Sequence, residues 1–397
     1  MVEIKNMLSE RITNMATSAT LAMAAKAREL RAQGKDIIGL SLGEPDFNIP
    51  DFIKQAAKKA IDENYSSYSP VDGYVELKQA ISTKFKRDNQ LEYGLNQIVV
   101  STGAKQSLAN IAMVLLNKGD EVILPAPYWV SYSDIVKLAE GVPIEVHTGI
   151  DSDFKMTPEQ LESAITPKTK MLWYSSPCNP SGSVYSKKEL QALAEVLHKY
   201  PDILVVSDEI YEHINFIGGH VSMAGIAGMY DRTVTVNGVS KAFAMTGWRI
   251  GYIGAPEWIA KACTKFQGQI TSGANSIAQR ATIAALEAPV SSIKYMIDEF
   301  RMRRDLILSL LGEVEGFNLN VPEGAFYVFP DVSGFFGREL NGTLISNASD
   351  FAIYLLEHAN VATVTGEAFG GPNCIRISYA ASEKEIREAV ARIKAVV

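Results

Sequence analysis

The feature that most constrains the fold of this chain is an alternation of amphipathic helical segments with short apolar segments. Asp51 to Asn64 and Lys187 to Tyr200 carry apolar residues at helical spacing. The apolar runs between such helices are Gln97 to Val100, Glu121 to Leu124, Pro143 to His147, Met171 to Tyr174, Ile203 to Val206 and Thr233 to Val236. Several of these runs are apolar throughout, which is typical of strands covered on both faces by helices. The alternation therefore predicts a wound α/β domain with a mostly parallel sheet.

The length of the chain predicts two domains. Its 397 residues exceed the size at which a single hydrophobic core keeps growing. From about Pro289 a long amphipathic helix changes the pattern, and strands and helices alternate more sparsely after it. We therefore expect a large α/β domain from residues 48–288. We expect a smaller, discontinuous α+β domain from residues 1–47 and 289–397.

The charge balance argues against nucleic acid as the main partner. Lys and Arg number 38 and Asp and Glu number 45, so the net charge is −7. Such a chain offers no broad basic surface to a phosphate backbone. The five histidines show no metal-ligand spacing, so no metal site is expected.

Cysteine usage and hydropathy indicate the compartment. The three cysteines are widely spaced and form neither a disulfide framework nor a zinc pattern, which suits a reducing cytosol. No apolar run approaches the ~18 residues that span a bilayer. Glu3 and Glu10 interrupt any basic or apolar leader pattern. We expect a cytoplasmic protein without a membrane segment.

Ligands of open parallel sheets bind at the carboxyl ends of the strands, so the residues that follow each predicted strand carry the functional information. STGAKQ follows Val100, and the free amides of Gly103, Ala104 and Lys105 at the start of a helix would suit an anion. An ordinary strand-to-helix turn explains the same residues.

Two further strand ends carry residues with a structural and a functional interpretation. Trp129, in PAPYWVSY, is either a core residue or a flat ring that stacks on a planar cofactor. Asn179, in SSPCNPSG, lies in a proline-rich turn that turn chemistry alone explains.

Asp208 follows the strand that ends at Val206, and Tyr211 lies three residues later. A carboxylate at such a depth is costly unless it is paired. A protonated pyridine nitrogen would be a suitable partner for Asp208. A helix-capping role is the alternative.

The segment NGVSKAFAMTGWRIGY is the most informative strand end. Lys241 lies among apolar neighbours, where desolvation lowers the pKa of a lysine and enables it to form a Schiff base. Ser240 and Arg249 offer a hydroxyl and a guanidinium group to a phosphate. An ordinary surface lysine would not be expected among so many apolar residues, so a structural role does not explain this segment.

Together these segments resemble the fold-type I pyridoxal-phosphate aminotransferases of class I and II, and within them the bacterial aspartate aminotransferase subgroup. The resemblance extends from SLGEPDF (residues 41–47) to IRISYA (residues 375–380). It implies a large domain with a mostly parallel seven-stranded sheet wrapped by helices, and a smaller α+β domain.

The resemblance also implies the role of each cofactor-binding residue. Lys241 would hold pyridoxal 5′-phosphate as a Schiff base, and Asp208 would pair with its pyridine nitrogen. Tyr211 and Asn179 would hydrogen-bond the phenolic oxygen, and Trp129 would stack on the ring. The implied phosphate ligands are the amides of Gly103, Ala104 and Lys105, with Ser240, Arg249 and, from the neighbouring subunit of a homodimer, Tyr68.

The implied substrate site contains Arg376, which would clamp the α-carboxylate with help from Gly43 and Asn179, beside the Trp129 ring. In this subgroup a lysine at the position of Lys105 recognises the distal carboxylate of dicarboxylic substrates. Ser18 and Thr20 match a family segment that folds over the substrate.

The function implied is transamination between L-aspartate or L-glutamate and 2-oxoglutarate or oxaloacetate. The alternatives are a broad-range, aromatic, alanine or prephenate aminotransferase, or a lyase of the same fold. Ala16 and Thr17 replace a basic residue and a proline that commonly precede SAT, and prephenate-accepting members tend to keep the basic residue. A non-enzymatic regulator would carry a separate DNA-binding module, and we expect none before Ser41.

Overall fold

The structure is a computed structural model that describes residues 7–13, 15 and 17–397. Ala16, which bears on prephenate acceptance, lies outside the described residues. The α-helices of the described part are α1 (Glu10–Thr13), α2 (Ala19–Ala32), α3 (Asp51–Asp62), α4 (Val75–Lys84), α5 (Ala104–Leu115), α6 (Ser131–Leu138), α7 (Pro158–Ala164), α8 (Lys187–His198), α9 (Glu257–Ile270), α10 (Ser276–Glu287), α11 (Lys294–Leu311), α12 (Ala348–His358) and α13 (Glu383–Lys394).

The strands of the same residues form one large sheet and three small ones. They are β1 (Ile38–Gly39), β2 (Ile98–Ser101), β3 (Glu121–Ala126), β4 (Val142–His147), β5 (Thr169–Ser175), β6 (Leu204–Asp208), β7 (Thr233–Gly238), β8 (Gly251–Gly254), β9 (Tyr327–Val328), β10 (Glu339–Leu340), β11 (Thr343–Leu344), β12 (Val361–Ala362), β13 (Val364–Thr365) and β14 (Ile375–Ser378).

The large sheet has seven strands in the order β2-β8-β7-β6-β5-β3-β4. All neighbouring pairs are parallel except those of β8, which runs antiparallel to both β2 and β7. β6 and β7 are buried along their whole length, because helices cover both faces of the sheet centre. The edge strand β4 mixes exposed and half-buried residues and contains no fully buried one. The predicted wound α/β architecture with a mostly parallel seven-stranded sheet is confirmed.

Residues from both ends of the chain pair with each other beside this sheet. β1 pairs in parallel with β12, so Ile38 lies opposite Val361. β13, β14 and β9 form a three-stranded antiparallel sheet. α11 and α13 pack against each other. This pairing agrees with a small domain built from both chain ends, although the predicted boundaries at residues 47 and 289 stay a prediction.

Within the described residues, no helix combines the length and the apolar character that crossing a bilayer requires.

Candidate active site

A cavity of about 240 Å³ lies where β5 and β6 end. It brings together side chains that are up to 358 positions apart in sequence, from Ser18 to Arg376. The predicted site residues that line it are Ser18, Thr20, Gly43, Ala104, Lys105, Trp129, Asn179, Asp208, Tyr211, Ser240, Lys241, Arg249 and Arg376. These residues, which lie far apart in the sequence, therefore converge on one cavity at the carboxyl edge of the sheet.

Lys241 lies three residues beyond β7 and projects into this cavity. Its Nζ donates a hydrogen bond of 2.6 Å to the carbonyl oxygen of Gly43. Burial and then repulsion from Arg376 lower the pKa of Lys241 to about 8. A lysine with a lowered pKa supplies a neutral amine near physiological pH, which nucleophilic attack on a carbonyl requires.

Asp208 is the last residue of β6 and is 4% exposed. Its Oδ1 accepts from the amide of Ile210 at 3.2 Å, and its Oδ2 accepts from the hydroxyl of Tyr132 at 2.7 Å. Burial nevertheless raises the pKa of Asp208 to about 6, because these two hydrogen bonds only partly offset the loss of solvation. A cationic partner such as a protonated pyridine nitrogen would stabilise this buried carboxylate.

Tyr132 is a site residue that the sequence analysis did not single out. It is fully buried, lines the cavity and packs against Trp173, with ring centroids 4.9 Å apart. It also meets the Trp129 ring edge to face at 5.7 Å. Its position about one helical turn after Trp129 could have indicated that Tyr132 lies near the same site. Nothing in the local sequence, however, identifies Asp208 as its hydrogen-bond partner.

The start of α5 and the Arg249 side chain form an anion-binding corner. Gly103 has a φ of +83°, which favours glycine, and a Cβ atom there would lie 2.3 Å from Nη2 of Arg249, so a side chain at this position would also displace the guanidinium group. The amides of Ala104 and Lys105, in the first turn of the helix, have no acceptor within the helix and suit a phosphate. The Gly103 amide instead donates to the carbonyl oxygen of Ser101 at 2.8 Å.

Arg376 is 1% exposed and is held by two hydrogen bonds. Nη1 donates to Oδ1 of Asn179 at 2.9 Å, and Nη2 donates to the carbonyl oxygen of Ser41 at 2.6 Å. Nε has no hydrogen-bond partner among the described residues. A buried guanidinium group fixed in this way, with donor capacity left over, suits a substrate carboxylate.

Lys105 also lines the cavity, with its Nζ 4.8 Å from the centroid of the Trp129 ring. Its pKa is lowered, first by partial burial of the ammonium group and then by repulsion from Arg249. Oγ1 of Thr20 is buried without a hydrogen-bond partner among the described residues, and Ser18 also lines the cavity. With the Lys105 ammonium group and these hydroxyls in its lining, the cavity can accept a second anionic group.

Tyr68 does not line the cavity of its own chain and is 98% exposed.

Tyr211 is 3% exposed, and its hydroxyl lies 2.7 Å from that of Tyr327. Tyr327, on β9, also lines the cavity and was not singled out from the sequence, where no motif marks it.

A buried cluster with metal-ligating side chains lies beside the site. Glu209, Glu212 and His220 place one ligand atom each within 4.8 Å of one another. The Lys84 ammonium group contacts Glu212, and His220 Nε2 lies 2.9 Å from Glu209. Lys84 supplies one cation to the two carboxylates and Glu209 raises the pKa of His220, so a protonated His220 supplies the second cation and the charges balance without a metal ion. Sequence spacing did not associate His220 with these acids.

The donor set fits pyridoxal phosphate: Asp208 suits its ring nitrogen, the corner at Arg249 suits its phosphate and Lys241 suits its aldehyde. The family model for aminotransferases of class I and II matches residues 35–393 of this chain. The aspartate/prephenate aminotransferase of Cereibacter sphaeroides is 50% identical over 391 residues, which is 98% of each chain.

Solved structures of aspartate aminotransferases also resemble this chain over nearly its whole length. The aspartate aminotransferase of Rhizobium meliloti superposes with a TM-score of 0.95 at 46% identity, covering 98% of both chains. The aspartate aminotransferase of Thermus thermophilus with maleate superposes with a TM-score of 0.92 at 42% identity, covering 98% of this chain and 99% of that one. The predicted family and cofactor are confirmed. This chain belongs to the class I and II aminotransferases of fold type I and is a pyridoxal-phosphate-dependent enzyme of the aspartate aminotransferase subgroup.

Proposed function

We propose that this enzyme transfers the amino group of L-aspartate or L-glutamate to 2-oxoglutarate or oxaloacetate. The observation that carries this assignment is that Arg376 and Lys105, two cationic side chains, line one cavity. Arg376 pairs with the α-carboxylate and Lys105 with the distal carboxylate. The Thermus relative was solved with maleate, which is a dicarboxylate, and this supports the proposal.

Bound pyridoxal phosphate supplies an electron sink that stabilises negative charge at the substrate Cα. Asp208 would keep a proton on the ring nitrogen through a charge-assisted hydrogen bond. Tyr211 and Asn179 would hold the phenolic oxygen, and Trp129 would pack on the ring face. The first-turn amides of α5, the Ser240 hydroxyl and Arg249 would bind the phosphate.

Lys241 has two roles in this proposal. Its Nζ would hold the cofactor covalently, and as a free amine it would take the Cα proton of the substrate as general base. The pKa of about 8 supports the second role, because much of this amine is neutral near that pH. Gly43 guides Nζ by accepting its hydrogen bond at 2.6 Å.

We propose that the active unit is a homodimer in which Tyr68 reaches the phosphate site of the neighbouring subunit. Tyr68 is 98% exposed although it is a large aromatic side chain, and Ile270 is 62% exposed. A tyrosine exposed to this extent is free to be covered by a second copy, as the homodimer of the resembled family requires. The proposed location is the cytoplasm, since all three cysteines are free and buried.

A second candidate activity uses prephenate as amino acceptor. The 50% identical relative from Cereibacter sphaeroides carries both aspartate and prephenate in its name. Prephenate is also a dicarboxylic 2-oxo acid, so Arg376 and Lys105 would recognise it by the same charge pairing. Incubation with glutamate as donor and prephenate as acceptor tests this activity by the appearance of 2-oxoglutarate.

The proposed function is tested by mixing the cofactor-loaded enzyme with single amino acids and following the visible absorbance. Aspartate and glutamate should convert the band of the lysine-bound cofactor to that of pyridoxamine phosphate. Conversion by phenylalanine or alanine, but not by aspartate, would instead assign an aromatic or alanine aminotransferase. The absence of conversion with every amino acid would refute transamination. Lys241→Ala is the matched control and should abolish turnover.

A further inference from the structure

Tyr327 joins the small three-stranded sheet to the cavity. It lies on β9 opposite Ser378 of β14, the strand that carries Arg376, and is 1% exposed. Its hydroxyl is 2.7 Å from the hydroxyl of Tyr211, which follows β6 of the large sheet. A hydrogen bond between two buried tyrosines therefore links the two sheets at the cavity wall.

Tyr327 also contacts Arg376 and Gly43, two residues of the proposed substrate site. The Arg376 guanidinium group lies over its ring, 4.6 Å from the centroid. A Cβ atom on Gly43 would lie 2.1 Å from the Tyr327 hydroxyl oxygen, so the phenol packs directly against the backbone that accepts from Lys241. The Tyr327 side chain thus contacts three groups of the proposed site: the guanidinium group of Arg376, the backbone of Gly43 and the hydroxyl of Tyr211.

The direction of the tyrosine pair decides what Tyr211 can do. Only one of the two hydroxyls donates to the other. If Tyr211 donates to Tyr327, its proton points away from the cofactor site. If Tyr327 donates, the Tyr211 proton is free to point into the cavity. Burial raises the pKa of both phenols, and the charge of Arg376 opposes this rise at both. The Arg376 guanidinium group lies directly over the Tyr327 ring, whereas Asp208 raises the pKa of Tyr211 further, so Tyr327 is the more acidic phenol and the better donor.

We propose that Tyr327 is a positioning residue whose hydroxyl donates to Tyr211 and thereby directs the Tyr211 proton to the phenolic oxygen of the cofactor. This inference rests on the proposed role of Tyr211. The two hydrogen bonds in series polarise each other, so Tyr211 becomes a stronger donor than it is alone. A stronger donor withdraws more charge from the phenolic oxygen. The positive charge on the cofactor-linked Nζ of Lys241 is then less stabilised, and the pKa of that nitrogen falls.

The experiment is a pH titration of the visible absorbance of the cofactor-loaded enzyme without substrate, which reports the pKa of the linked Lys241 Nζ. Tyr327→Phe keeps the ring under Arg376 and removes only the hydroxyl. We expect it to raise this pKa by about half a unit to one unit. Tyr211→Phe should raise it further, and Tyr327→Phe should add nothing in the Tyr211→Phe background. Gly43→Ala, which displaces the Tyr327 hydroxyl, should shift the pKa in the same direction.

The matched control is Tyr354→Phe, which removes a buried hydroxyl that donates to the carbonyl oxygen of Val396, away from the cavity lining. It should leave the titration unchanged. A Tyr327→Phe titration equal to the wild-type one would overturn the inference, and so would a shift that adds fully to that of Tyr211→Phe. If the wild-type protein forms no titrating chromophore with pyridoxal phosphate, the proposed function itself fails, which is a separate outcome.

Discussion

The hydroxyl of Tyr132 donates a 2.7 Å hydrogen bond to the carboxylate of Asp208, and both side chains are buried. This bond fixes one carboxylate oxygen, while the other accepts from the Ile210 amide. The carboxylate is thus held in one orientation before any cofactor binds. Pre-organisation of this kind stabilises charge without reorganisation during the reaction.

Tyr132→Phe should therefore reduce kcat for aspartate by about tenfold and change KM little, since a hydrogen bond to a charged group contributes about 1.5 kcal/mol. Steady-state kinetics measure both parameters. Tyr128→Phe is the matched control, because Tyr128 also donates to a carboxylate, that of Glu145 at 2.6 Å, outside the cavity. Equal effects of the two substitutions would argue against a role through Asp208.

Lys105→Met should discriminate between substrate classes. We expect kcat/KM for aspartate to fall about tenfold to a hundredfold relative to that for phenylalanine, because one charge-assisted pair is lost only with the dicarboxylic substrate. Lys137→Met, an exposed lysine on α6, serves as control. Parallel losses for both amino acids would show that Lys105 supports the cofactor rather than the distal carboxylate.

A hybrid-dimer experiment tests the position of Tyr68. If Tyr68 serves the neighbouring site, mixing inactive Lys241→Ala chains with Tyr68→Ala chains creates one intact site per hybrid dimer. Unfolding and refolding an equimolar mixture should then restore about a quarter of the wild-type activity. Activity no greater than the sum of the two separate variants would place Tyr68 outside the neighbouring site.

The buried pair of His220 and Glu209 makes stability depend on pH. Burial works against the charge of His220, but Glu209 outweighs it and raises the pKa of His220 above 6.5. The pair therefore stabilises the fold fully below about pH 6.5, and this contribution disappears as the pH rises through the folded-state pKa.

His220→Gln should lower the free energy of unfolding by about 3 kcal/mol at low pH, because it leaves Glu209 buried and unpaired, and by less at high pH. Urea denaturation midpoints at a series of pH values measure this difference. A difference between wild type and variant that grows with pH would contradict the assigned charge of His220.

The sequence predicted the central strands well, because strands buried on both faces are apolar runs. The runs that begin at Glu121 and Thr233 start where β3 and β7 start. β8 was missed because glycines form half of GYIG. The requirement for glycine at position 251 comes from a residue distant in sequence, because a Cβ atom there would lie 2.1 Å from the amide nitrogen of Ala104. The helix expected from Pro289 begins at Lys294, after a 3₁₀ turn.

The site residues could be predicted where a strand end or a motif marked them, as with Asp208 and Lys241. Tyr132 and Tyr327 escaped because their importance lies in partners 76 and 116 positions away, Asp208 and Tyr211. Such pairs depend on which strands are neighbours in the sheets. A local pattern carries no information on that order.

We propose above all that Lys241 is the residue that binds the cofactor covalently. The most direct test is to reduce the cofactor-loaded enzyme with sodium borohydride, digest it and locate the pyridoxyl phosphate group by mass spectrometry. We predict a single labelled peptide, modified at Lys241, and loss of the label when aspartate is added before reduction. Labelling at Lys105 instead, or no stable label in the loaded enzyme, would contradict the account.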